Sequence, residues 1–442
     1  MPAPHQVRKH LSADALVALL RARFVQLPDP RCGPVFISLA DALMSAFALF
    51  ALKDPSLLAF DQRRQDGNLQ SLYHIQRVPC DTQLRGILDP LPPEELRPAY
   101  QDVFRQLQRG KVLEDYRYLP EGYLLCLDGT QYFSSEKIHC PHCMEKHHQD
   151  GRTSYYHQML GAAIVHPDQA AVLALMPEPI LKQDGTTKND CERNAARRFV
   201  QKFRQDHPYL SVIVVEDALA SNAPHVRDLL DGGMHFILGV KEGDHAYLFA
   251  AVRHRQQHDP AVKQVTIQTP DSQRRHVFTI VPDVPLNEAN DDVRVTFVCY
   301  VEHNLVDGTE RIFTWITDLT VTPHNVWRIM RAARARWKIE NETFNTLKNQ
   351  GYGYEHNYGH GQENLSVVFA LLMMLAFLVD QVQQLCNPLF QGALSRLGSK
   401  RLLWERQRSL FNEYKLRSLG ELYEALCYGC QRMRPRIQFN SS

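Results

Sequence analysis

Hydrophobic and polar positions change their periodicity along the chain and divide it into regions of different predicted secondary structure. As far as about Leu119 the apolar residues recur at helical spacing, as they do from Leu39 to Phe50. From Tyr123 onward short apolar runs predict strands, with two helices among them, in the order βββαβαβ. Helical periodicity returns at Pro323, which starts a predicted long basic helix running to about Lys348, and continues to the end.

The first region contains one pair of helices whose arrangement the sequence leaves open. Leu69 to Arg77 and Thr82 to Leu88 are both helical in pattern and are joined by a short turn. The pair could form a helix-turn-helix that binds DNA. Two helices of an ordinary small bundle would have the same pattern, so both interpretations stand.

The middle region predicts a sheet with helices on its faces. The predicted strands are Tyr123–Leu127, Tyr155–Val165, Ala171–Met176, Leu210–Val215 and His235–Val240, and the predicted helices are Asn189–Arg204 and Ala223–Leu230. Three antiparallel strands followed by alternating helix and strand match a ribonuclease-H-like sheet better than a doubly wound sheet, which alternates from its start.

Alternating segments separated by Gly, Pro and Asp turns follow, and they predict an all-β insertion. The predicted fold class is therefore α/β: a ribonuclease-H-like core interrupted by an all-β insertion, with helical N-terminal and C-terminal regions. The predicted divisions are a helical N-terminal domain that we expect to bind DNA (1–119), the first part of the core (120–240), the insertion (241–320), the second part of the core with the Glu340 helix (321–385) and a helical C-terminal region (386–442).

The most apolar stretch, Leu365 to Val379, ends at Asp380 after 15 residues. A bilayer helix needs about 20, so we predict a buried core helix and no membrane association. Charged residues interrupt the apolar pattern at the N-terminus, which predicts no signal peptide and a cytoplasmic protein. Most of the 10 cysteines stand alone, several within apolar runs, as expected for buried thiols in a reducing compartment.

Three acids stand out by position. Asp128 and Asp217 each follow a predicted strand, and in a ribonuclease-H-like sheet these two strands are neighbours, so both carboxylates emerge at one edge. Glu340 is the only charged member of a helical stripe that includes Met330, Trp337 and Phe344. A carboxylate on a packed helix face is costly unless it is paired or binds a metal.

Each acid also has a structural interpretation. Asp128 could be a turn residue before Gly129, Asp217 could cap the following helix, and Glu340 could pair with Arg336 one turn back. The combination of three acids with this strand order favours a metal site over those separate roles.

The chain here resembles the bacterial DDE transposases of the insertion-sequence-four group, which carry a Tyr-Arg-Glu-Lys signature. The matching residues are Leu127-Asp128-Gly129-Thr130, Val214-Val215-Glu216-Asp217-Ala218 and Arg336-Trp337-Lys338-Ile339-Glu340. The resemblance implies that Asp128, Asp217 and Glu340 are catalytic and hold the metal ions, and that Arg336 is the signature arginine. The signature Tyr falls on Ala333 and the signature Lys on Leu347, with Lys348 one position late.

The resemblance implies a mechanism as well. Two Mg²⁺ ions, or Mn²⁺ in their place, would serve cleavage at the ends of a mobile element and transfer of the 3′-hydroxyl ends into a target. The implied partners are double-stranded DNA and a second copy of the chain, since two ends must be cut in concert. The implied setting is a bacterial cytoplasm in association with DNA.

The whole-chain net charge of +1 argues against a nucleic-acid partner only as an average. Five positive residues in eleven, with no acid among them, lie beside Glu340: Arg328, Arg331, Arg334, Arg336 and Lys338. With Lys348 they are candidates for phosphate contacts, although a solvated helix face has the same composition. Trp315, near the end of the insertion, could hold a flipped base, or it could be a core residue.

A second cluster predicts a structural zinc site. Cys140, Cys143 and His148 form Cys-x2-Cys-x4-His in the hairpin between the first two long strands. His139, His157 or Cys191 could supply a fourth Zn²⁺ ligand, and a metal-free loop is the alternative. Cys427-x2-Cys430 has no nearby histidine and is structural or incidental.

The sequence therefore predicts a DNA transposase. Two other classes are compatible with it: a ribonuclease-H-like nuclease that cuts without joining, and a catalytically silent DNA-binding protein derived from such an enzyme. Intact acids at 128, 217 and 340 argue against the silent form.

Overall fold

A computed structural model of the chain describes residues 8–182, 189–268, 273–430 and 434–435. It is a mixed α/β structure with one large sheet and many helices. The helices are α1 (Ala13–Val25), α2 (Leu39–Ala51), α3 (Leu57–Asp61), α4 (Gly67–Tyr73), α5 (Asp81–Leu88), α6 (Arg97–Arg109), α7 (Glu192–Asp206), α8 (Ala223–Asp231), α9 (Ala246–His258), α10 (Val326–Arg334), α11 (Asn345–Asn349), α12 (Leu365–Cys386), α13 (Pro388–Leu397), α14 (Lys400–Glu413) and α15 (Leu419–Tyr428). The strands are β1 (Arg117–Leu119), β2 (Gly122–Ser135), β3 (Met144–His147), β4 (Thr153–Val165), β5 (Leu173–Ala174), β6 (Glu178–Ile180), β7 (Val212–Glu216), β8 (His235–Gly239), β9 (Lys263–Gln268), β10 (Arg274–Asn287), β11 (Asn290–Asn304), β12 (Glu310–Thr317), β13 (Tyr414–Lys415) and β14 (Arg434–Pro435).

The large sheet runs in the order β3-β4-β2-β7-β8-β12-β11-β10-β9. Its centre, β2, β7 and β8, is parallel, and the strands on either side are antiparallel. Every residue of β7 is buried, as expected for a parallel strand covered by helices on both faces. Burial on both faces explains why Val212–Val215 is a continuous apolar run in the sequence.

The predicted all-β insertion over residues 241–320 is wrong in two respects. It contains a 13-residue helix, α9, and its strands do not form a separate sheet, since β12 pairs with β8 through Trp315 and Gly239. Sequence periodicity missed α9 because only two of its residues, Leu248 and Val252, are buried. The insertion therefore continues the central sheet.

The N-terminal and C-terminal helices pack into one layer around α12. This 22-residue helix is long and apolar enough to cross a membrane, and 94% of its most apolar window is buried inside the protein. Its Asp380 forms a buried ion pair with Lys53, and Tyr352 donates a hydrogen bond to the same carboxylate at 2.7 Å. The Asn68 side chain donates to the carbonyls of Phe411 and Tyr414 at 2.8 Å, which joins the two ends of the chain.

The candidate helix-turn-helix corresponds to α4 and α5. Both helices pack against α2, and Leu69, Leu72, Leu84 and Ile87 are buried between them and the rest of the layer. The two helices therefore belong to the helical layer around α12.

The long helix predicted from Pro323 to Lys348 is broken. After α10 the backbone tightens, with hydrogen bonds from Arg336 to Ala333 and from Ile339 to Arg336, three residues apart. It then widens into a π-helical segment, Ile339–Phe344, before α11. Tight and wide turns rotate the chain by different angles per residue. The predicted stripe fails for this reason at Trp337, which is 55% exposed.

Candidate active site and a cysteine and histidine cluster

Strand register brings Asp128 and Asp217 to the same level of the sheet. Cys126 of β2 lies opposite Val215 of β7 in a parallel pair, and each acid comes two residues later on its strand. Because side chains alternate between faces, both acids point to the same face of the sheet. Asp128 pairs with Gly161 in the middle of β2, so the predicted strand end at residues 128–130 and the turn interpretation of Asp128 are both wrong.

Asp217 directly follows β7, where it begins a short 3₁₀ turn, Ala218–Ala220. One of its carboxylate oxygens accepts a hydrogen bond from the Leu219 amide at 2.9 Å. The capping role that the sequence allows is therefore present in the structure. Asp217 and Asp128 both line one cavity.

Arg336 connects Glu340 to Asp128. Its Nη1 lies 2.6 Å from Glu340 Oε1 and 3.2 Å from Asp128 Oδ2. The pair with Glu340 is the one that the helical spacing predicts, and the bridge to Asp128 is an addition that only the tertiary structure provides. Asp128 and Arg336 are largely buried, whereas the Glu340 side chain is 44% exposed.

The acids interact electrostatically. Burial raises the pKa of Asp128 to about 7, and the nearby carboxylates of Glu340, Asp217 and Glu192 act in the same direction, against the lowering effect of Arg336. The pKa of Arg336 is raised because its hydrogen bond and charge interaction with Glu340, with the charges of Asp128 and Asp217, outweigh its burial. Negative charge is therefore concentrated here and only partly neutralised.

Glu192 is a fourth acid of the site that sequence reasoning missed. It lies at the start of α7, lines the same cavity as Asp128 and Asp217, and accepts a hydrogen bond from Gln158 at 2.6 Å. Burial and the charge of Asp217 raise its pKa. A Cβ atom at Gly129 would lie 2.0 Å from Glu192 Oε1. The glycine after Asp128 is therefore the sequence signal for a group packed close to that strand.

A second glycine fixes the approach of the Glu340 segment. Phe344 ends the π-helical segment, and its ring would lie 2.6 Å from a Cβ atom at Gly161. Gly161 is also the residue opposite Asp128. Because Gly161 has no side chain, the segment that carries Glu340 can pack beside Asp128.

Carboxylate oxygens and partly neutralised negative charge suit Mg²⁺ or Mn²⁺. The carboxylate oxygens of the acids lie farther apart than the ligand atoms of one bound ion. Within the described residues, the single group of three or more His, Cys, Asp or Glu side chains whose ligand atoms lie within 4.8 Å of one another is elsewhere. Arg336 supplies a positive charge between Asp128 and Glu340, so the residues present fit a cation site of this type.

The predicted DNA contacts are dispersed. Arg331 pairs with Asp168, Lys348 with Glu355 at 2.9 Å, and Arg334 lies 3.5 Å from Glu302. Two other members of the basic cluster, Arg328 and Lys338, donate to the backbone carbonyls of Tyr118 and Gln169. Trp315 is buried in a stack with Phe313 and Tyr300. This is the core position that the sequence allowed for it.

A second polar cluster is formed by Cys140, Cys143, His157 and His360, all of which are buried. The predicted ligand His148 is not part of it, which corrects that prediction: its Nε2 lies 2.7 Å from the Ser154 hydroxyl. β3 carries the chain away from the cysteines before residue 148, so the knuckle spacing does not apply. His157 was one of the candidate fourth ligands, and His360 was missed because it lies 217 residues from Cys143.

Comparison with known proteins shows the family of the chain. Residues 134–378 match the family model described as the transposase DDE domain. The chain matches no curated protein. Among solved structures, the piggyBac transposase in a synaptic complex with hairpin DNA has 10% sequence identity and a TM-score of 0.38, over 96% of this chain and 78% of that one. A likeness at that level does not establish a shared fold.

The family match covers more than half of the chain. The protein belongs to the transposase DDE domain family.

Proposed function

We propose that the protein is a DNA transposase whose catalytic residues are Asp128, Asp217 and Glu340. The observation that carries this proposal is their convergence: strand register aligns the two aspartates, and Arg336 bridges Asp128 and Glu340. Membership of the DDE family supports it. Arg336, four residues before Glu340, further supports assignment to the insertion-sequence-four group.

We also propose that the core is ribonuclease-H-like. In support, β4, β2, β7 and β8 are neighbours in that order, with β5 and β6 beside β4, β2–β7–β8 parallel, and α7 and α8 between them in the chain. The first and fourth strands of such a core are β2 and β7, which carry the two aspartates. We propose the divisions at residues 119, 240, 320 and 385 as boundaries along the sequence. In space, the strands of residues 241–320 extend the central sheet, so this segment packs as part of the core.

The carboxylates of Asp128, Asp217 and Glu340 would hold the metal ions. When bound, two Mg²⁺ or Mn²⁺ ions would activate the attacking oxygen and neutralise charge on the leaving oxygen. Asp128 must give up a proton that its raised pKa retains near neutral pH. Arg336 offers a half-buried guanidinium that can hold a phosphate oxygen once cations satisfy the acids.

The proposed reaction has two steps at this site. In cleavage, the oxygen of a water molecule bonds to phosphorus at the element end, the bond from phosphorus to the 3′-oxygen breaks, and that oxygen takes a proton. In strand transfer, the freed 3′-oxygen bonds to a target phosphorus, and the target 3′-oxygen leaves with the proton. The second step conserves the number of phosphodiester bonds and needs no external energy source.

The proposed partners are double-stranded DNA, at the element ends and the target, and a second copy of the chain. Arg331 and Lys348 support DNA contact because their partners Asp168 and Glu355 are mostly exposed, and such surface pairs are weak enough for phosphates to displace. Arg334, over the Phe313 ring, is a third candidate. A cytoplasmic, bacterial setting remains a prediction.

The test is Mg²⁺-dependent cleavage of DNA that carries the sequences flanking the coding region. Asp128→Ala, Asp217→Ala and Glu340→Ala should each lower the cleavage rate by at least about 1,000-fold, because each removes a ligand of the charge-stabilising ions. Glu342→Ala is the matched control, since Glu342 lies on the same segment and contributes no contact to the acid site. Retained cleavage in Glu340→Ala with loss in Glu342→Ala would refute the assignment of the third acid.

Strand transfer separates the proposal from its alternatives. A labelled 3′-hydroxyl end should become covalently joined to target DNA. Cleavage without joining would indicate a nuclease, and binding without cleavage in the wild-type protein would indicate a silent DNA-binding descendant.

A further inference from the structure

We propose that Cys140, Cys143, His157 and His360 bind one Zn²⁺ ion that clamps the loop after the Glu340 segment onto the strands β2 and β4. This inference goes beyond the proposed function, because it assigns a second metal site with a different metal and a positioning role. It concerns a cluster that takes no part in the chemistry described above.

The distances within the cluster match tetrahedral zinc. With Zn–S bonds of about 2.3 Å and Zn–N bonds of about 2.0 Å, tetrahedral angles require S···S separations of about 3.8 Å and S···N separations of about 3.5 Å. The two sulfur atoms are 3.8 Å apart, and the Nε2 atom of His157 lies 3.5 Å and 3.4 Å from them. His360 Nε2 lies 3.3 Å from the Cys143 sulfur.

The alternatives for these side chains fit less well. A disulfide needs its sulfurs about 2.05 Å apart, well below the 3.8 Å observed. Simple core packing does not explain two imidazoles directed at two thiols. His157 and His360 are 1% and 7% exposed, and the Nε2 atom of each lies within 3.4 Å of the Cys143 sulfur. Two thiolates and two imidazoles are a ligand set that selects zinc.

Aromatic residues enclose the cluster. The His157 ring stacks on Tyr132 at 5.9 Å, and the Phe133 ring contacts both histidines, at 5.9 Å from His157 and 4.3 Å from His360. A water-poor shell of this kind protects a structural site from exchange and hydrolysis. Four protein ligands leave no open position, as in structural rather than catalytic zinc sites.

The ligands come from three segments that also build the acid site. Cys140 and Cys143 lie between β2, which carries Asp128, and β3. His157 is on β4, four residues before the Gly161 that receives Phe344. His360 lies in the loop between α11, which directly follows the Glu340 segment, and α12. A metal ion bound here would link Cys143 to His360, which is 217 residues away in the sequence. It would thereby hold the segment of Glu340 against β2, the strand of Asp128.

The primary experiment uses wild-type full-length protein. Purified without chelator, it should contain one zinc per chain by elemental analysis, released only when a mercurial blocks the thiols. Brief treatment with EDTA should remove Mg²⁺ and leave the zinc. Protein produced with Co²⁺ should show the visible absorption of a tetrahedral site and a near-ultraviolet sulfur-to-cobalt band of two-thiolate intensity.

Variants test the ligand set. Cys143→Ser and His360→Ala should each lower the zinc content at least about 10-fold, whereas His148→Ala and the exposed Cys191→Ser should retain it. His360→Cys should keep zinc and change the cobalt spectrum to that of three thiolates, which tests the site even if the other variants fail to fold. The loss variants should also melt at lower temperature.

Three outcomes would overturn the inference. They are wild-type protein that holds no zinc even after supplementation, a Cys140–Cys143 disulfide found by mass spectrometry, and full zinc content in Cys143→Ser. None of them bears on the proposed function, because zinc content is measured without DNA. Cleavage by a zinc-free wild-type protein would overturn the clamp and leave the transposase proposal intact.

Discussion

The acid site uses Asp128 on β2 and Asp217 after β7, whereas the Cys/His cluster uses the loop after β2 and His157 on β4. The two sites treat their polar groups in opposite ways. At the acid site, like charges remain in excess, the pKa of Asp128 is raised to about 7, and an arginine stands between two of the acids. In the Cys/His cluster, four buried ligand atoms already lie at metal-binding separations.

This difference distinguishes a site that must open to substrate from one that only holds the fold. Glu340 is 44% exposed and comes from a π-helical segment, which suits the access of DNA and cations that we propose for this site. The Cys/His ligands are enclosed by aromatic rings and by the strand hairpin. A readily exchanged metal is expected at the first and a permanent one at the second.

The largest expected effect comes from one added methyl group, which should disturb the acid site and leave the Cys/His cluster unchanged. Gly161→Ala places a Cβ atom 2.6 Å from the Phe344 ring, so the Glu340 segment must shift. A displacement of about 1 Å at the chemistry lowers the rate of DNA cleavage by about 100-fold. The zinc content should not change, because Gly161 is not a ligand.

Gly86→Ala is the matched control, since nothing lies within 4 Å of its added Cβ in helix α5. Cleavage assays and elemental analysis on the same preparations measure both effects. A parallel loss of zinc in Gly161→Ala would show that the two sites are not independent.

The pH dependence of stability gives an effect of intermediate size. The pKa of Asp128 is about 7 in the folded chain, against 3.8 as the ordinary value. Because the folded-state pKa is raised, the unfolded chain ionises first, and the free energy of unfolding should fall as pH rises from about 4 to 7. Three pH units correspond to at most about 4 kcal/mol.

The measurement is denaturant unfolding of magnesium-free wild-type and Asp128→Asn protein across this pH window. The difference between the two curves isolates Asp128 from other titrating groups, and 10 mM Mg²⁺, roughly the level of a standard cleavage buffer, should shrink it by favouring the ionised acid. Parallel curves for the two proteins would contradict the raised pKa.

The smallest expected effect tests whether Arg336 occupies the place of a cation. Arg336→Met leaves Asp128 and Glu340 without their bridging charge, so magnesium-free protein at pH 8 should lose about 2 kcal/mol of stability. Added Mg²⁺ should restore much of it. The stabilisation by Mg²⁺ should therefore be larger in the variant than in the wild type.

Arg336→Lys is the control, because it keeps the charge and loses the planar guanidinium. Thermal unfolding with and without Mg²⁺ provides the comparison. Equal stabilisation of wild type and Arg336→Met by Mg²⁺ would show that the arginine and the metal do not compete.

Local patterns predicted most of the central sheet. The runs beginning at Tyr155, Leu210 and His235 are strands within two residues of their predicted bounds, and the run at Tyr123 is the start of a longer strand, Gly122–Ser135. Buried strands require continuous or alternating apolar residues, which a sequence displays directly. The same patterns failed for α9, because few of its residues are buried. They also failed for the segment after α10, because its backbone hydrogen bonds change from three-residue spacing to the wider spacing of a π-helix.

Sequence by itself determined which residue types were available: carboxylates after two apolar strands, an arginine one turn before a glutamate, and a Cys-x2-Cys in a hairpin. These are local properties, set by neighbours a few positions apart. Only the tertiary structure decided that Arg336 also reaches Asp128, that Glu192 joins the acids, and that His360 rather than His148 meets the cysteines. Such contacts depend on strand register and on packing across more than 200 residues, and no local spacing encodes them.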